Sequence, residues 1–399
     1  MKIPKAALNI IAKLNNASYE AYFVGGCVRD MLMGKEPKDW DITTSATPEQ
    51  IKRIFKRTVD TGIKHGTVTV LVFNEAYEVT TYRVDGKYAD FRHPDEVIFT
   101  GDLKEDLVRR DFTINAIAYH PKEGYIDFFG GKEDIKTKII KGVGHPAKRF
   151  NEDALRMLRA VRFACQLGFN IEHETFNALR EHSGLIAHVS MERVRDEVIK
   201  AFTAEHSEKC EYFINCKILG EALPFLADYL EDNLEEFISA LNNLESSERC
   251  AVNTLSLLFR NLEERKLSRY PREMKLDNAA SRAISQVSGE INIEIPQNPY
   301  NVKKLMAKIG TENYFRVLLC KAALGENTSK LREIGGKTIM RNEPIFIKDL
   351  HINGNIIKER LSVSGVKVGQ ILNALQDEVL KDPAKNNEAS LIEIAKGLI

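Results

Sequence analysis

Two aspartates, Asp39 and Asp41, follow a pair of glycines and an arginine near the N-terminus. Gly25 and Gly26 have no side chains to keep a phosphate from the backbone, and Arg29 adds a planar set of donors suited to phosphate oxygens. Carboxylates at i, i+2 on a strand share one face, and oxygen ligands of this kind suit Mg²⁺. A glycine turn or a surface Asp-x-Asp is common by itself, but this order of parts indicates nucleotidyl transfer.

A strand, a turn and a short helix must hold these side chains. The apolar run at residues 21–24 predicts a buried strand that breaks at the glycines. Residues 28–33 predict a short helix, whose N-terminal N–H groups and dipole favour an anion. The Asp-x-Asp pair is expected on the following strand, with Trp40 turned to the other face. The sequence therefore predicts a phosphate site and a metal site side by side.

A second group of charges stands at residues 109–116, Arg-Arg-Asp-Phe-Thr-Ile-Asn-Ala, where a loop is expected to meet a helix. Arg110 is suited to hold a triphosphate. Asp111 is suited to accept a hydrogen bond from a ribose hydroxyl. By itself the segment is more typical of an ordinary capped helix start than of a binding site.

A third group lies on the helix predicted at residues 151–162, whose apolar stripe consists of Ala154, Leu158, Val161 and Cys165. Arg156 and Arg159 fall on the opposite face, flanked by Asp153 and Arg162. A solvated face with an Asp153–Arg156 ion pair is one interpretation. Base recognition is the other, because an Asp accepts from the amine of adenine or cytosine while an Arg donates to the ring nitrogen. Guanine and uracil reverse that pattern, so such a pair rejects GTP and UTP.

The three segments together resemble the class II tRNA nucleotidyltransferases (CCA-adding enzymes) of the bacterial tRNA nucleotidyltransferase/poly(A) polymerase family. The resemblance implies that Asp39 and Asp41 are the catalytic residues and that they hold two Mg²⁺ ions. It also implies a set of nucleotide-binding residues: Gly26, Arg29, Arg110, Asp111, Asp153, Arg156, Arg159 and Arg162. In this set Asp153 and Arg156 read the base, and the other arginines contact the phosphates.

Two later stretches extend the resemblance. Residues 191–197 are similar to the family's fifth motif, a helix whose charges brace the neck. Residues 350–354 and 365–372 are similar to its C-terminal tail motif, in which Lys367 is expected to meet the tRNA backbone. The implied partners are the 3′ acceptor end of tRNA, with ATP and CTP as substrates, and, by resemblance alone, a second copy of the chain in a homodimer.

Several members of the family remain open as alternatives. Residues 61–68 are similar to CCA-adding enzymes and lack the basic stretch typical of bacterial poly(A) polymerases. The loop at residues 83–94 looks intact, which favours full CCA addition over addition of CC alone. Addition of A alone stays open. An RNA-binding scaffold without activity is expected to have lost one of the two metal carboxylates, and both are present.

Composition sets the remaining limits. Lys plus Arg equals Asp plus Glu at 57 each in 399 residues, so the net charge gives no indication of nucleic-acid binding. Residues 138–168 nevertheless form a basic strip that suits a polyanion. The six cysteines show no zinc spacing, and no segment is apolar enough for a signal peptide or a membrane span. Reduced thiols, a cytoplasmic location and no membrane partner are therefore expected.

The order of predicted elements gives an α+β fold class, with an N-terminal mixed-sheet nucleotidyltransferase head followed by an all-α neck, body and tail. The expected domains are residues 1–138 (head), 139–205 (neck), 206–300 (body) and 301–399 (tail). Strands are predicted at residues 67–73 and 77–83, a long loop at 85–102, and a connector at 285–300.

Overall fold

The computed structural model describes residues 3–73, 75–86 and 97–399. The chain forms two compact units, Met1–Leu234 and Glu235–Ile399. The expected α+β class is confirmed, because a mixed sheet occupies the N-terminal part and helices dominate the remainder. The finer division into four domains stays a prediction.

The first unit is built on a seven-stranded sheet. The strands of the described chain are β1 (Ala21–Val24), β2 (Asp41–Thr44), β3 (Thr58–Gly62), β4 (Thr67–Val72), β5 (Glu75–Thr81), β6 (Arg83–Asp85), β7 (Val97–Phe99), β8 (Ile117–His120), β9 (Gly124–Asp127), β10 (Ile139–Ile140) and β11 (Asn170–Ile171). The sheet order is β3-β4-β5-β2-β1-β8-β9. Strands β2 and β5 are parallel and the other neighbours are antiparallel, so the sheet is mixed as predicted.

Helices flank this sheet and form the rest of the chain. Those of the first unit are α1 (Lys5–Asn16), α2 (Gly26–Leu32), α3 (Pro48–Ile54), α4 (Leu103–Val108), α5 (Gly131–Thr137), α6 (Pro146–Glu152), α7 (Leu155–Leu167), α8 (His173–Glu181), α9 (Met191–Phe202), α10 (Glu211–Asn215) and α11 (Ile218–Ala222). Helix α12 (Pro224–Asn242) runs from the first unit into the second. The second unit adds α13 (Ala251–Phe259), α14 (Glu264–Glu273), α15 (Asn278–Ile291), α16 (Pro299–Ile309), α17 (Thr311–Ala323), α18 (Ser329–Met340), α19 (Gly354–Leu361), α20 (Val366–Lys381) and α21 (Glu388–Lys396).

We call the glycines, Arg29 and the two aspartates the first motif, residues 109–116 the second and residues 151–162 the third. The strand and turn that carry the first motif form as predicted. All four residues of β1 are buried, and α2 begins at Gly26, two residues earlier than expected. Trp40 is 9% exposed and packs edge-on against Phe23, with ring centroids 5.1 Å apart. Because Trp40 is part of the core beneath the sheet, it anchors the backbone between the two aspartates.

Two predicted irregular segments are partly regular. The loop predicted at residues 85–102 is bounded by an antiparallel pair, β6 and β7, whose strands of three residues are too short to stand out in the sequence; its residues 87–96, with part of the 83–94 motif, lie outside the described residues. The connector predicted at 285–300 is wrong over residues 285–291, because Ile284, Val287 and Ile291 bury one face of α15, and over residues 299–300, where α16 begins. Within the described ranges, no helix is long and apolar enough to cross a membrane.

Candidate active site

The ten residues predicted for catalysis and nucleotide binding in the first unit line a single cavity of about 620 Å³. We call it the arginine-rich cavity, and its lining is Gly25, Gly26, Arg29, Asp39, Asp41, Arg109, Arg110, Asp111, Asn115, Asp153, Leu155, Arg156, Arg159, Arg162, Phe163 and Arg193. Seven arginines face four aspartates, so the lining carries a positive excess suited to a polyphosphate. Lys367 lies in the second unit on α20, where its ammonium group donates to the carbonyl oxygen of Ile399 at 3.2 Å.

The two aspartates of the first motif reach the cavity from different backbone settings. Strand β2 begins at Asp41, and Asp39 lies just before it. The prediction that both residues are on the strand is therefore wrong for Asp39, because the chain is still turning there toward the buried Trp40. Burial raises the pKa of Asp41, and the nearby carboxylates of Glu78 and Asp39 raise it further, against the lowering effect of Arg110. Glu78 was not singled out in the sequence because its proximity depends on the pairing of β2 with β5.

Glycine is required where the backbone passes Arg110. Gly25 has φ +75°, a conformation that L side chains rarely adopt, and a Cβ there would lie 3.3 Å from Nη1 of Arg110 and 3.7 Å from Oδ2 of Asp41. A Cβ on Gly26 would lie 3.6 Å from Nη2 of Arg29. The missing side chains thus leave an open surface between two guanidinium groups and a carboxylate.

A buried carboxylate orients the two neighbouring arginines of the second motif. Asp106, on α4, is fully buried. Its Oδ1 accepts from Nη2 of Arg109 at 2.6 Å, and its Oδ2 accepts from Nη2 of Arg110 at 3.2 Å and from the hydroxyl of Thr43 at 3.1 Å. Burial opposes the charge of Asp106, but the two arginines outweigh it and lower its pKa. The spacing to Arg109 and Arg110, i+3 and i+4, is the sequence signal that would have identified this residue.

The second motif also fixes an arginine of the third. Oδ2 of Asp111 accepts from Nε of Arg159 at 2.8 Å and from its Nη2 at 2.6 Å. Oδ1 of Asp111 accepts from the side-chain amide of Asn115 at 3.2 Å, and the amide oxygen of Asn115 accepts from Nη1 of Arg29 at 2.9 Å. Burial raises the pKa of Asp111, but Arg159 more than reverses this and holds it at about 2. Asn115, which sequence reasoning passed over, therefore links arginines of the first and third motifs.

The helix predicted at residues 151–162 is broken at Asp153, and this corrects the prediction. Helix α6 ends at Glu152 and α7 begins at Leu155, with Asp153 in an extended conformation. The carboxylate of Asp153 accepts from the backbone N–H of Leu155 at 3.1 Å, and its carbonyl accepts from that of Arg156 at 3.0 Å. An Asp side chain that accepts from a free backbone N–H in this way caps the N-terminus of a helix. The chain therefore starts a new helix after Asp153. The predicted apolar stripe is confirmed, since all four of its residues are buried.

The Asp153–Arg156 ion pair, which belonged to the interpretation of this face as solvated, is replaced by two others. Oδ2 of Asp153 lies 3.2 Å from Nη2 of Arg193, and Nη1 of Arg156 lies 2.9 Å from Oε2 of Glu152. Glu152 also pairs with Arg149 at 2.6 Å. Both Asp153 and Arg156 thus line the cavity, each held by a different partner.

Three arginines of the cavity contact one aromatic ring, that of Phe163. The guanidinium carbons of Arg162, Arg159 and Arg29 lie 4.1, 5.2 and 5.4 Å from the centroid of the Phe163 ring. Cation–π attraction of this kind favours a cation over the ring face. Arg162 also pairs with Glu197 of α9 at 2.5 Å. Phe163 reads as an ordinary core position in the sequence, and its contact with arginines from two motifs depends on the fold.

Comparison with known proteins identifies the family of the chain. The family model described as "Poly A polymerase head domain" matches residues 21–141, and "Probable RNA and SrmB- binding site of polymerase A" matches residues 168–230. The CCA-adding enzyme of Lactobacillus gasseri is 38% identical over 392 residues, 97% of this chain and 96% of that protein. The CCA-adding enzyme of Ligilactobacillus salivarius is 38% identical over 405 residues, 99% of this chain and 96% of that one.

A solved structure supports the same assignment. The crystal structure of the Bacillus stearothermophilus CCA-adding enzyme in complex with CTP superposes with a TM-score of 0.87 at 32% sequence identity, covering 100% of this chain and 99% of that one. The Thermotoga maritima CCA-adding enzyme complexed with tRNA shares the fold, with a TM-score of 0.64 at 20% identity and coverage of 100% and 97%. By sequence and by fold, the chain belongs to the family of the CCA-adding enzymes.

Proposed function

We propose that the protein adds C, C and A to the 3′ end of tRNA, using CTP and ATP without a nucleic-acid template. The observation that carries this proposal is the arginine-rich cavity, in which Asp39 and Asp41 meet the arginines and aspartates of two further motifs. Family membership and the CTP complex of the related Bacillus stearothermophilus enzyme support it. In the reaction the 3′ oxygen of the tRNA bonds to the α-phosphorus, and the bond from that phosphorus to pyrophosphate breaks.

Asp39 and Asp41 are the residues that would hold two Mg²⁺ ions. Nucleotidyltransferases of this family generally use a divalent metal. The raised pKa of Asp41, caused by burial and then by Glu78 and Asp39, marks a place where negative charge is crowded and a cation would relieve it. No group of three or more His, Cys, Asp or Glu suited to a metal occurs in the described part of the chain, so substrate phosphates would complete the coordination. Bound metal lowers the pKa of an attacking hydroxyl and neutralises a departing phosphate.

The triphosphate would lie against Gly26, Arg29 and Arg110. Gly25 and Gly26 leave the backbone open at this point. Asp106 and Asn115 hold Arg110 and Arg29 in place before a ligand arrives. Donors held in advance lose little freedom on binding, which favours both affinity and correct placement of the α-phosphate.

The base would be read by Asp153 and Arg156. Because these two side chains pair with Arg193 and Glu152 and not with each other, each keeps its own position when a base comes between them. Asp153 would accept from the exocyclic amine of cytosine or adenine, and Arg156 would donate to the adjacent ring nitrogen. With a base of the reversed pattern, the Asp153 carboxylate would face a carbonyl oxygen and the Arg156 guanidinium would face an N–H group. Polar groups left unpaired in this way discriminate strongly between bases.

Incubation of the purified protein with Mg²⁺ and a tRNA that ends before its CCA tests the proposal, with CTP alone, ATP alone, or both. We expect two cytidines from CTP alone and one adenosine added only after them. A single adenosine on a tRNA that already ends in CC, without CTP incorporation, would identify an A-adding enzyme. Long adenosine tails would identify a poly(A) polymerase, and no incorporation with intact tRNA binding would indicate a scaffold.

A further inference from the structure

Asp41 borders a second, smaller cleft of about 200 Å³ that adjoins the arginine-rich cavity. Arg109 and Arg110 line both spaces. Within the described chain, Arg83 and Thr80 line the smaller cleft and not the larger cavity. We call this space, with Thr67 opposite Thr80, the cationic cleft.

Nucleotidyl transfer requires two phosphate-bearing reactants to meet at the metal-binding carboxylates. The nucleotide supplies an α-phosphate, and the RNA supplies a 3′ hydroxyl whose ribose carries its own 5′ phosphate. Both reactants have to be held close together and in line, so a cleft that borders Asp41 beside the arginine-rich cavity offers the RNA end an approach separate from that of the nucleotide.

Two clefts in the described part of the chain also border Asp41, and their charges differ. A larger cleft of about 790 Å³ presents one ammonium group, that of Lys38, against five carboxylates: Glu36, Asp39, Asp41, Glu75 and Glu78. The cationic cleft presents three guanidinium groups against the carboxylates of Asp41 and Glu78, while the carboxylate of Asp106 that pairs with Arg109 and Arg110 is fully buried behind them. A phosphodiester is repelled by the first lining and attracted by the second.

The donors of the cationic cleft are held in place by the fold. Arg109 is fixed by the buried carboxylate of Asp106. The guanidinium group of Arg83 donates to the carbonyl oxygen of His65, and the hydroxyls of Thr67 and Thr80 lie 3.0 Å apart. The cleft therefore offers charged and neutral donors beside a metal-binding carboxylate, which is the chemistry that a ribose and its phosphate require.

We propose that the cationic cleft receives the 3′-terminal ribose of the tRNA and its 5′ phosphate, with Arg83 as the positioning residue that contacts this phosphate. The 3′ hydroxyl is thereby brought to Asp41, opposite the α-phosphate of the nucleotide. This inference rests on the proposed function, because it takes RNA as the acceptor.

Steady-state kinetics of Arg83→Gln and Arg83→Lys test the inference, with Arg53→Gln as the control, since Arg53 is exposed on α3 away from both spaces. We expect Arg83→Gln to raise the KM for tRNA about tenfold and to leave the KM for CTP unchanged. The slope of log KM for tRNA against log salt concentration should fall by about 0.7, as for one lost phosphate contact on a single strand. Arg83→Lys should restore much of that slope, and the control should match the wild type.

A tRNA with a methylphosphonate at its last phosphodiester separates the contact from a folding defect. With wild-type protein, this neutral linkage should raise the KM for tRNA by the same factor as Arg83→Gln. When the variant and the neutral linkage are combined, the KM for tRNA should rise no further than with either change alone. Independent, multiplying effects would overturn the inference, as would a rise in the KM for CTP with an unchanged KM for tRNA. Failure of the wild type to incorporate CTP on unmodified tRNA would refute the proposed function instead.

Discussion

Asp111 and Arg159 form a partly buried ion pair with two hydrogen bonds to one carboxylate oxygen, of 2.8 and 2.6 Å. The pair joins residues 109–116 to α7, so two segments 48 residues apart in the chain share one set of charges. Asp111 is 8% exposed, so solvent screens its attraction to Arg159 only weakly. The same pair that shapes the cavity should therefore stabilise the fold.

The pKa of Asp111 makes that stabilisation measurable. Its folded pKa of about 2 is below the ordinary value of 3.8, so the stabilisation is present above pH 3.8 and is lost as the pH falls toward 2. Asp111→Asn should lower the free energy of unfolding at pH 7 by about 2 kcal/mol. Urea titrations at pH 7 and at pH 2.5 should show this difference shrinking at the lower pH.

Asp60→Asn is the matched control for this prediction. Asp60 pairs with Lys52 at 2.8 Å, but both side chains are more than a third exposed. Solvent-exposed pairs contribute about 0–1 kcal/mol, so this variant should unfold close to the wild type at both pH values. Equal losses in the two variants would show that burial does not distinguish the pairs.

Asp41 shows the opposite relationship between charge and stability. Burial, followed by Glu78 and Asp39, raises its pKa, so the folded state holds a proton on Asp41 more tightly than the unfolded state does. Stabilisation by this group is complete below the ordinary pKa and is lost as the pH rises through the folded pKa. At pH 7 without metal, ionised Asp41 therefore destabilises the fold.

Asp41→Asn should consequently remove activity and raise the melting temperature. With Mg²⁺ present we expect no detectable nucleotide incorporation, with tRNA binding within about twofold of the wild type by filter retention. In EDTA at pH 7 the variant should melt at a higher temperature than the wild type, because a neutral amide costs less to bury than a carboxylate and avoids the repulsion from Glu78 and Asp39. Activity retained in Mg²⁺ would remove Asp41 from the metal-binding pair.

The requirement for glycine at residue 25 can be tested with a second glycine that has a similar φ. Gly25 has φ +75° and faces Arg110, whereas Gly34 has φ +72° and no atom within 4 Å of an added Cβ. Both alanine variants bear backbone strain of about 1 kcal/mol or more. Gly25→Ala should also lower kcat/KM for CTP by an order of magnitude or more, because the new methyl group displaces the Arg110 guanidinium. Gly34→Ala should keep kcat/KM near the wild-type value, and equal losses would count against the contact.

The sequence predicted the convergence of the motifs better than their local structure. Gly26, Arg29 and the two aspartates lie close together in the chain, so their types and spacing were enough to predict a common site. These residues do line one cavity. The helix break at Asp153 was missed, because the apolar period continues across it and a single Asp fits either a helix face or a new N-terminus.

Apart from Asp106, whose arginine partners are three and four residues away in the chain, the residues that sequence reasoning missed act through tertiary contacts. Asp106 matters because a turn of helix places it under two arginines, and Phe163 because three guanidinium groups gather on its ring. Asn115 likewise takes its importance from Arg29 on a distant segment. Arg193 belongs to the residues 191–197 that were expected to brace the neck, but its partner, Asp153, depends on the fold. A single sequence does not reveal which of its many charged and aromatic residues will meet, whereas a local motif contains its own geometry.

Arg156 provides the sharpest test of base selection. Arg156→Gln removes the cation expected to donate to the ring nitrogen, so the ratio of kcat/KM for CTP to that for UTP should fall by tenfold or more. Glu152→Gln should produce a smaller fall in the same direction, because Arg156 then loses the carboxylate that holds it at 2.9 Å.

Arg193→Gln extends the test to Asp153, the second residue expected to read the base, since it releases Asp153 from its partner at 3.2 Å. Arg195→Gln is its control, because Arg195 lies on the same helix and pairs with the exposed Asp196, away from the cavity. Competition between CTP and UTP on a tRNA lacking CCA, scored by sequencing the added nucleotides, measures all four variants. Unchanged selectivity in Arg156→Gln would leave base selection to the shape of the cavity, and a loss in Arg195→Gln equal to that in Arg193→Gln would trace the effect to helix α9 as a whole.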